Sequence, residues 1–207
     1  MKVELFPAGL PRADVLAERC RLAAQDIRLD PSVERIELCF DAPEFLGAGF
    51  WTVRREPGDR VSAALYGAPR DILTPPGRRD DPRHLDDVEF VCALPPERLD
   101  VIATDRWLHR NLLQLDDLLR GRVTPDRVPR SRATGLQAVW DVWTDGRLRH
   151  RQQPGLSQAE RRRMFFRTFA PQGMLLPRHW ATFHRLWEGR YLDQPGLLRA
   201  LEELPLP

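Results

Sequence analysis

Strand-type and helix-type hydrophobic patterns occupy different parts of this 207-residue chain, and that segregation constrains the fold more than any other feature. Four short segments before Pro95-Pro96 have strand character: Glu34–Phe40, Gly49–Arg54, Val61–Tyr66 and Glu89–Leu94. The Glu56-Pro57-Gly58-Asp59 turn signal joins the second and third into a hairpin. One helix precedes them, Arg12–Ile27, in which Val15, Leu16, Cys20, Leu22 and Ala23 share a face. It ends before Asp30-Pro31, because the residue preceding a proline is pushed out of the helical region. From Pro96 onward every apolar period is helical, over Pro96–Arg120, Ala133–Arg149, Ser157–Phe169, Pro177–Glu188 and Gln194–Glu203. Ser157 with Glu160 three residues later is a capping box, and Gly121 is a natural C-cap. Strands grouped with strands and helices with helices imply an α+β fold rather than a doubly wound parallel sheet. The expected layout is an N-terminal helix, a sheet of about four strands and a helical C-terminal half.

This length suits one hydrophobic core, so residues 1–207 are read as a single domain, with helix plus sheet over 1–95 and helices over 96–207. Gly67–Asp87, rich in Pro, Gly, Arg and Asp, has no apolar period and reads as a long loop of the kind that is functional or disordered. The 42% hydrophobic fraction separates the chain as a whole from disordered sequences. Its 32 basic and 30 acidic residues nearly cancel, so the net charge of +2 is no argument for nucleic-acid binding. No apolar run reaches the length of a membrane span or of a signal-peptide core. Cys20, Cys39 and Cys92 are odd in number and form no CxxC pair, which reads as reduced thiols. A cytoplasmic location without membrane contact is the expectation. Neither GxGxxG, a P-loop nor a GxSxG elbow is present, so nucleotide-dependent and serine-hydrolase chemistry have no sequence support.

On a helical wheel, Pro96–Arg120 places Val101, Leu108, Leu112, Leu115 and Leu119 at the centre of a buried face, with Arg110, Gln114 and Asp117 on a solvated side. Asp105, His109 and Asp116 fall beside the apolar centre, with Ile102 and Leu113 closing their far edge. Carboxylates so placed are costly unless they are paired, hydrogen-bonded or bound to metal. One reading is a structural polar pair, with Arg106 or Arg110 neutralising the acids. The other is a site. Asp105 and His109 are expected to be substantially buried and hydrogen-bonded, with Arg106 pairing to an acid nearby.

The segment Val101-Ile102-Ala103-Thr104-Asp105-Arg106-Trp107-Leu108-His109 resembles the HExxH helix of zincin-type metallopeptidases, with Asp105 in place of the first histidine and Arg106 in place of the glutamate. The helix and strands before it are similar to the minimal zincin layout, and the resemblance extends over roughly residues 10–150. It implies a third ligand from a following helix, Asp141 or Asp145. It also implies a degenerate site, because Arg106 cannot deprotonate a metal-bound water and repels a cation. The expected function is binding of a protein or peptide partner without catalysis and without a cofactor. The alternative is a divergent metal-dependent hydrolase holding a divalent ion on Asp105, His109 and Asp145.

A second class of function rests on arginine. Lys2 is the only lysine in the chain. That bias reads either as a coding preference or as a surface for phosphate or carboxylate recognition. Arg161, Arg162 and Arg163 read first as an exposed, solvated turn leading into a buried helix. The alternative is that, with Arg147, Arg149, His150 and Arg151 shortly before them, they form one patch for nucleic acid or an acidic partner. Trp140 and Trp143, one turn apart beside Leu136 and Val139, read as core.

Overall fold

The first strand of the sheet is one that the sequence patterns do not single out. In the computed structural model, which describes residues 1–6, 12–40, 50–58, 60–66, 100–124, 129–170, 172–189 and 192–204, β1 (Lys2–Phe6) pairs in parallel with β2 (Val33–Cys39). The register runs from Lys2 opposite Arg35 to Phe6 opposite Cys39. Five residues of alternation ending before Pro7 are too few to stand out as a strand, and pairing with β2 supplies what local pattern lacks. Helix α1 (Ala13–Ile27) links the two strands. β2 also pairs in parallel with β4 (Arg60–Tyr66), and β3 (Phe50–Glu56) closes the sheet antiparallel to β4, giving the order β1-β2-β4-β3. Gly58 makes the β3–β4 turn at φ +81°, a conformation that costs glycine no Cβ clash. The expected strand Glu89–Leu94, the loop Gly67–Asp87 and Cys92 lie outside the described residues.

The molecule is therefore α+β: one helix among the strands, a four-stranded sheet, then helices α2 (Val101–Leu119), α3 (Arg130–His150), α4 (Gln158–Phe169), α5 (Pro177–Glu188) and α6 (Gln194–Glu202). No helix among the described residues is long and apolar enough to cross a membrane. The chain divides into two compact units: Met1–Leu22 with Pro31–Trp107, and Ala23–Asp30 with Leu108–Pro207. Helices α1 and α2 each contribute residues to both.

In the sheet unit the central strands carry the core. Ile36, Leu38 and Leu65 are completely buried, with Leu16, Ala17 and Cys20 of α1 buried as well. Each such aliphatic side chain contributes about 1.5–3 kcal/mol of transfer free energy. Burial pushes the Cys20 thiol up to about 12, so it is held protonated and inert. Phe40 and Trp107 close this core with ring centroids 5.5 Å apart.

The helical unit is built around α3. Trp140 and Trp143 are buried there with Leu136 and Val139. Phe165 and Phe169 of α4 pack at 4.8 Å, and Phe165 meets Phe183 of α5 at 5.5 Å. Local signals fix the helix starts. Ser157 caps α4 by accepting from Glu160 N–H, while Glu160 accepts from Ser157 N–H. Asp193 caps α6 by accepting from Gly196 N–H. His179, buried in the first turn of α5, uses Nδ1 to accept the Leu176 N–H at 2.9 Å.

Gly146 lets α3 and α5 approach closely, because a Cβ there would lie 2.2 Å from the Trp187 carbonyl oxygen. Gly146→Ala is expected to lower stability by about 1–3 kcal/mol through overpacking, against a helix-propensity gain of roughly 1 kcal/mol. A urea unfolding midpoint equal to wild type would show that the helices separate at no cost.

Candidate functional site

Helix α2 is not half-solvated as its periodicity suggests. Leu108, Leu112 and Leu115 are completely buried, as expected, but so are Asn111 and Asp117, and Gln114 is nearly so. The polar side of α2 meets polar groups of α3 instead of water. Gln114 Nε2 donates to Asp141 Oδ1 at 2.8 Å, and Gln137 Nε2 donates to the same oxygen at 2.8 Å. Asp117 accepts from Arg147 Nη1 at 2.8 Å, with a second Arg147 nitrogen on its other oxygen. It also accepts from Trp140 Nε1 at 2.9 Å and from Arg122 Nη1 at 3.1 Å. The Arg147 guanidinium lies over the Trp143 ring, 3.6 Å from its centroid.

The stripe of ionisable residues is dispersed among separate partners. Asp105 is only half-buried, which corrects the expectation of substantial burial. It stands in the exposed first turns of α2, beside exposed Val101 and Ile102. Both of its oxygens accept from Arg19 Nη1, at 2.7 and 2.8 Å. Arg106 follows it, half-buried. His109 is buried, with Nε2 3.2 Å from Asp26 Oδ2. Asp116 is buried and accepts from Arg120 Nε at 2.9 and 2.8 Å and from Arg122 Nη1 at 3.2 Å. Asp145 accepts from Arg161 Nε at 2.5 Å and from Leu156 N–H at 3.2 Å. Among the described residues no three His, Cys, Asp or Glu side chains are grouped as a metal site requires.

Arg161 overturns the reading of its cluster as an exposed patch. It is buried at the start of α4, where Nε reaches Asp145 and Nη1 reaches Asp141 at 3.0 Å. The two acids, one turn apart on α3, present both carboxylates to one guanidinium. Arg147 is buried on Asp117 for the same reason. Arg149 and Arg163 are exposed, and Arg162 is half-buried over the Trp180 ring at 5.1 Å. The patch expected from Arg147, Arg149, Arg161, Arg162 and Arg163 thus loses two of its five members to the interior.

A different arginine cluster lines a concavity of about 590 Å³ in the helical unit, bounded by Asp26, Ile27, Arg28, Asp116, Arg120, Arg122, Arg151 and Gln153. Its wall consists of three helix C-termini, each closed by the same pair of backbone bonds. Leu29 N–H donates to Ala24 O and Arg28 N–H to Gln25 O at the end of α1. Arg122 with Gly121 does so at the end of α2, and Gln153 with Gln152 at the end of α3. This Schellman geometry needs a left-handed residue, here Arg28 (φ +56°), Gly121 (φ +65°) and Gln152 (φ +57°). Gln153 Nε2 also donates to the Asp26 carbonyl, tying the ends of α3 and α1 together. Of the residues singled out in the sequence, Asp116 lines this concavity and His109 reaches it through Asp26. The sequence patterns did not single out Arg28, Arg120 and Arg122. Arginines flanking helix-stop signals, as in Arg120-Gly121-Arg122, are the signal that could have found them.

The sequence matches no family model, and comparisons with curated proteins and with solved structures give no match.

Asp141, in its set with Arg161 and Asp145, makes stability depend on pH. Burial works against the Asp141 charge, but Arg161, Arg110 and the amides of Gln114 and Gln137 outweigh it and hold its pKa below the ordinary value. A carboxylate whose folded pKa is depressed contributes stability above its unfolded pKa of about 4 and loses it as pH falls through the folded value. Asp141→Asn should therefore be less stable than wild type at pH 7, with the difference shrinking steadily below about pH 4. A difference that stays constant down to acid unfolding would show that the Asp141 charge is not what Arg161 needs.

Proposed function

We propose that this chain is a binding protein with a zincin-like layout, in which the helix equivalent to the peptidase helix no longer supports hydrolysis. One observation carries the reading. The carboxylate that stands where the first histidine of the motif would be, Asp105, has both oxygens engaged by Arg19. A metal ion at that carboxylate would have to displace a guanidinium and then tolerate its charge nearby. Arg106, in the position of the glutamate base, cannot accept a proton from water at neutral pH. His109 turns Nε2 to Asp26, which leaves the residue serving structure. What remains on α2 is a set of neutralised charges that fix side chains in place, and binding is the activity such a set supports.

Elemental analysis of protein purified without chelators tests this directly. Metal is expected well below one equivalent, and peptidase substrates should remain intact. His109→Ala should lower stability by about 1–3 kcal/mol, the cost of leaving a buried partner unsatisfied, without changing metal content. Stoichiometric metal that disappears in His109→Ala would replace this reading with the divergent metal-dependent hydrolase.

A further inference from the structure

We infer that the concavity at the joined ends of α1, α2 and α3 is a binding site for a small molecule bearing a phosphate monoester. The inference rests on the reading of the chain as a binding protein and names what is bound.

The lining carries four guanidiniums, Arg28, Arg120, Arg122 and Arg151, against two carboxylates, Asp26 and Asp116. Arg120 is neutralised by its paired hydrogen bonds to Asp116. Arg122 spends one nitrogen, Nη1, on Asp116 and Asp117 and keeps the rest of its fork. The side chains of Arg28 and Arg151 make no hydrogen bond or ion pair among the described residues. An excess of two positive charges, with free planar forks, matches a phosphate monoester, which carries close to two negative charges and three acceptor oxygens at neutral pH.

The helix dipole alone does not account for these arginines. It favours cations at helix C-termini, which explains their charge. The Schellman bonds, however, already engage two carbonyls at each terminus, and no terminal carbonyl takes a hydrogen bond from the side chain of Arg28 or Arg151 among the described residues. Nor does the dipole call for an arginine in the left-handed position of α1, where α2 uses Gly121 and α3 uses Gln152. Arg151 also lines the concavity. Partial loss of hydration, together with the charge of Arg147, lowers its pKa below the ordinary arginine value. Arg151 is nevertheless exposed, with no side-chain hydrogen bond among the described residues, so its guanidinium is open to an anion in the concavity.

The size and the wall decide between a small molecule and a polymer. A volume near 590 Å³ lies within the range of small-molecule sites. Asp26 and Asp116 interrupt the basic lining, so a continuous phosphate backbone would meet carboxylates, whereas a single phosphate can avoid them.

Isothermal titration of the full chain with glycerol 3-phosphate and inorganic phosphate tests the proposal, alongside acetate, citrate and a single-stranded oligonucleotide. Saturable binding of glycerol 3-phosphate is expected. Arg151→Gln should weaken it at least about tenfold, the loss of one charge-assisted contact. Arg149→Gln, an exposed change outside the concavity, should leave it unaltered. Arg28→Gly guards against misfolding as the cause of lost binding, because glycine suits the left-handed position. Its melting temperature should match or exceed wild type while binding weakens by a similar factor. Absence of saturable binding, or binding indifferent to both Arg28→Gly and Arg151→Gln, overturns the proposal. Equal or tighter binding of the carboxylates overturns the phosphate assignment, and preference for the oligonucleotide overturns the small-molecule one. Failure here with metal still below one equivalent removes the ligand but not the binding reading. Stoichiometric metal lost in His109→Ala removes the binding reading whatever phosphate does.

Discussion

Asp117 has no accessible surface, yet it is an acid that two guanidiniums meet inside the helical unit. Removing an ion from water costs several kcal/mol even after the protein relaxes. The structure meets that cost with an oriented set: a two-nitrogen fork from Arg147, a third cation contact from Arg122 and the indole N–H of Trp140. Each donor constrains a different piece of the chain. Arg147 and Trp140 lie two turns apart on α3 and fix its register against α2. Arg122 fixes the path of the chain as it leaves α2. An apolar contact could slide by one residue at small cost, whereas a buried carboxylate cannot lose a partner cheaply. The same logic recurs one layer outward, where Arg161 locks α4 onto Asp141 and Asp145.

This distribution of charge governs which parts of the molecule were legible in the sequence. The helices and three of the strands follow from periodicity, capping and proline, all of which act over a few residues. α5 runs over Pro177–Glu188 as expected, and Ser157 caps α4 as its capping box requires. β1 was not legible because five residues become a strand only through a partner some thirty positions away. The site was harder still. Periodicity marked Gln114 and Asp117 as solvated because it registers polarity, and a buried polar network has the same polarity as a wet surface. Arg161 and Arg147 escaped for the same reason. Three adjacent arginines look like a patch until two aspartates on another helix claim one of them. Asp105, His109, Asp116, Asp141 and Asp145 did prove to be organised, Asp141 and Asp145 by a shared arginine and the others by separate partners, and not around one point.

On the proposed reading, α2 keeps the place of a catalytic element while serving another purpose. Ionisable groups on such a helix must be held by something. Where a metal would gather them inward, guanidiniums hold the carboxylates apart. The polar groups then act as ties between segments of chain. The end of the helix, where Arg120, Gly121 and Arg122 meet the ends of α1 and α3, becomes the place where cations remain available to solvent.

The sheet order has a consequence for behaviour at high concentration. Among the described residues its two edges are β1 and β3, and an unpaired strand edge is a template for another chain. β1 carries Lys2 and Glu4 along its five residues, and β3 carries the exposed pair Arg54 and Arg55 in the half that leads to the turn. Two copies meeting edge to edge through β3 would bring four guanidiniums together on one short ribbon. Such like-charge crowding disfavours cross-strand pairing. The arginines of β3 therefore put a like-charge cost on such pairing, which asks for charge and nothing else, in contrast to the buried arginines whose partners fix their geometry.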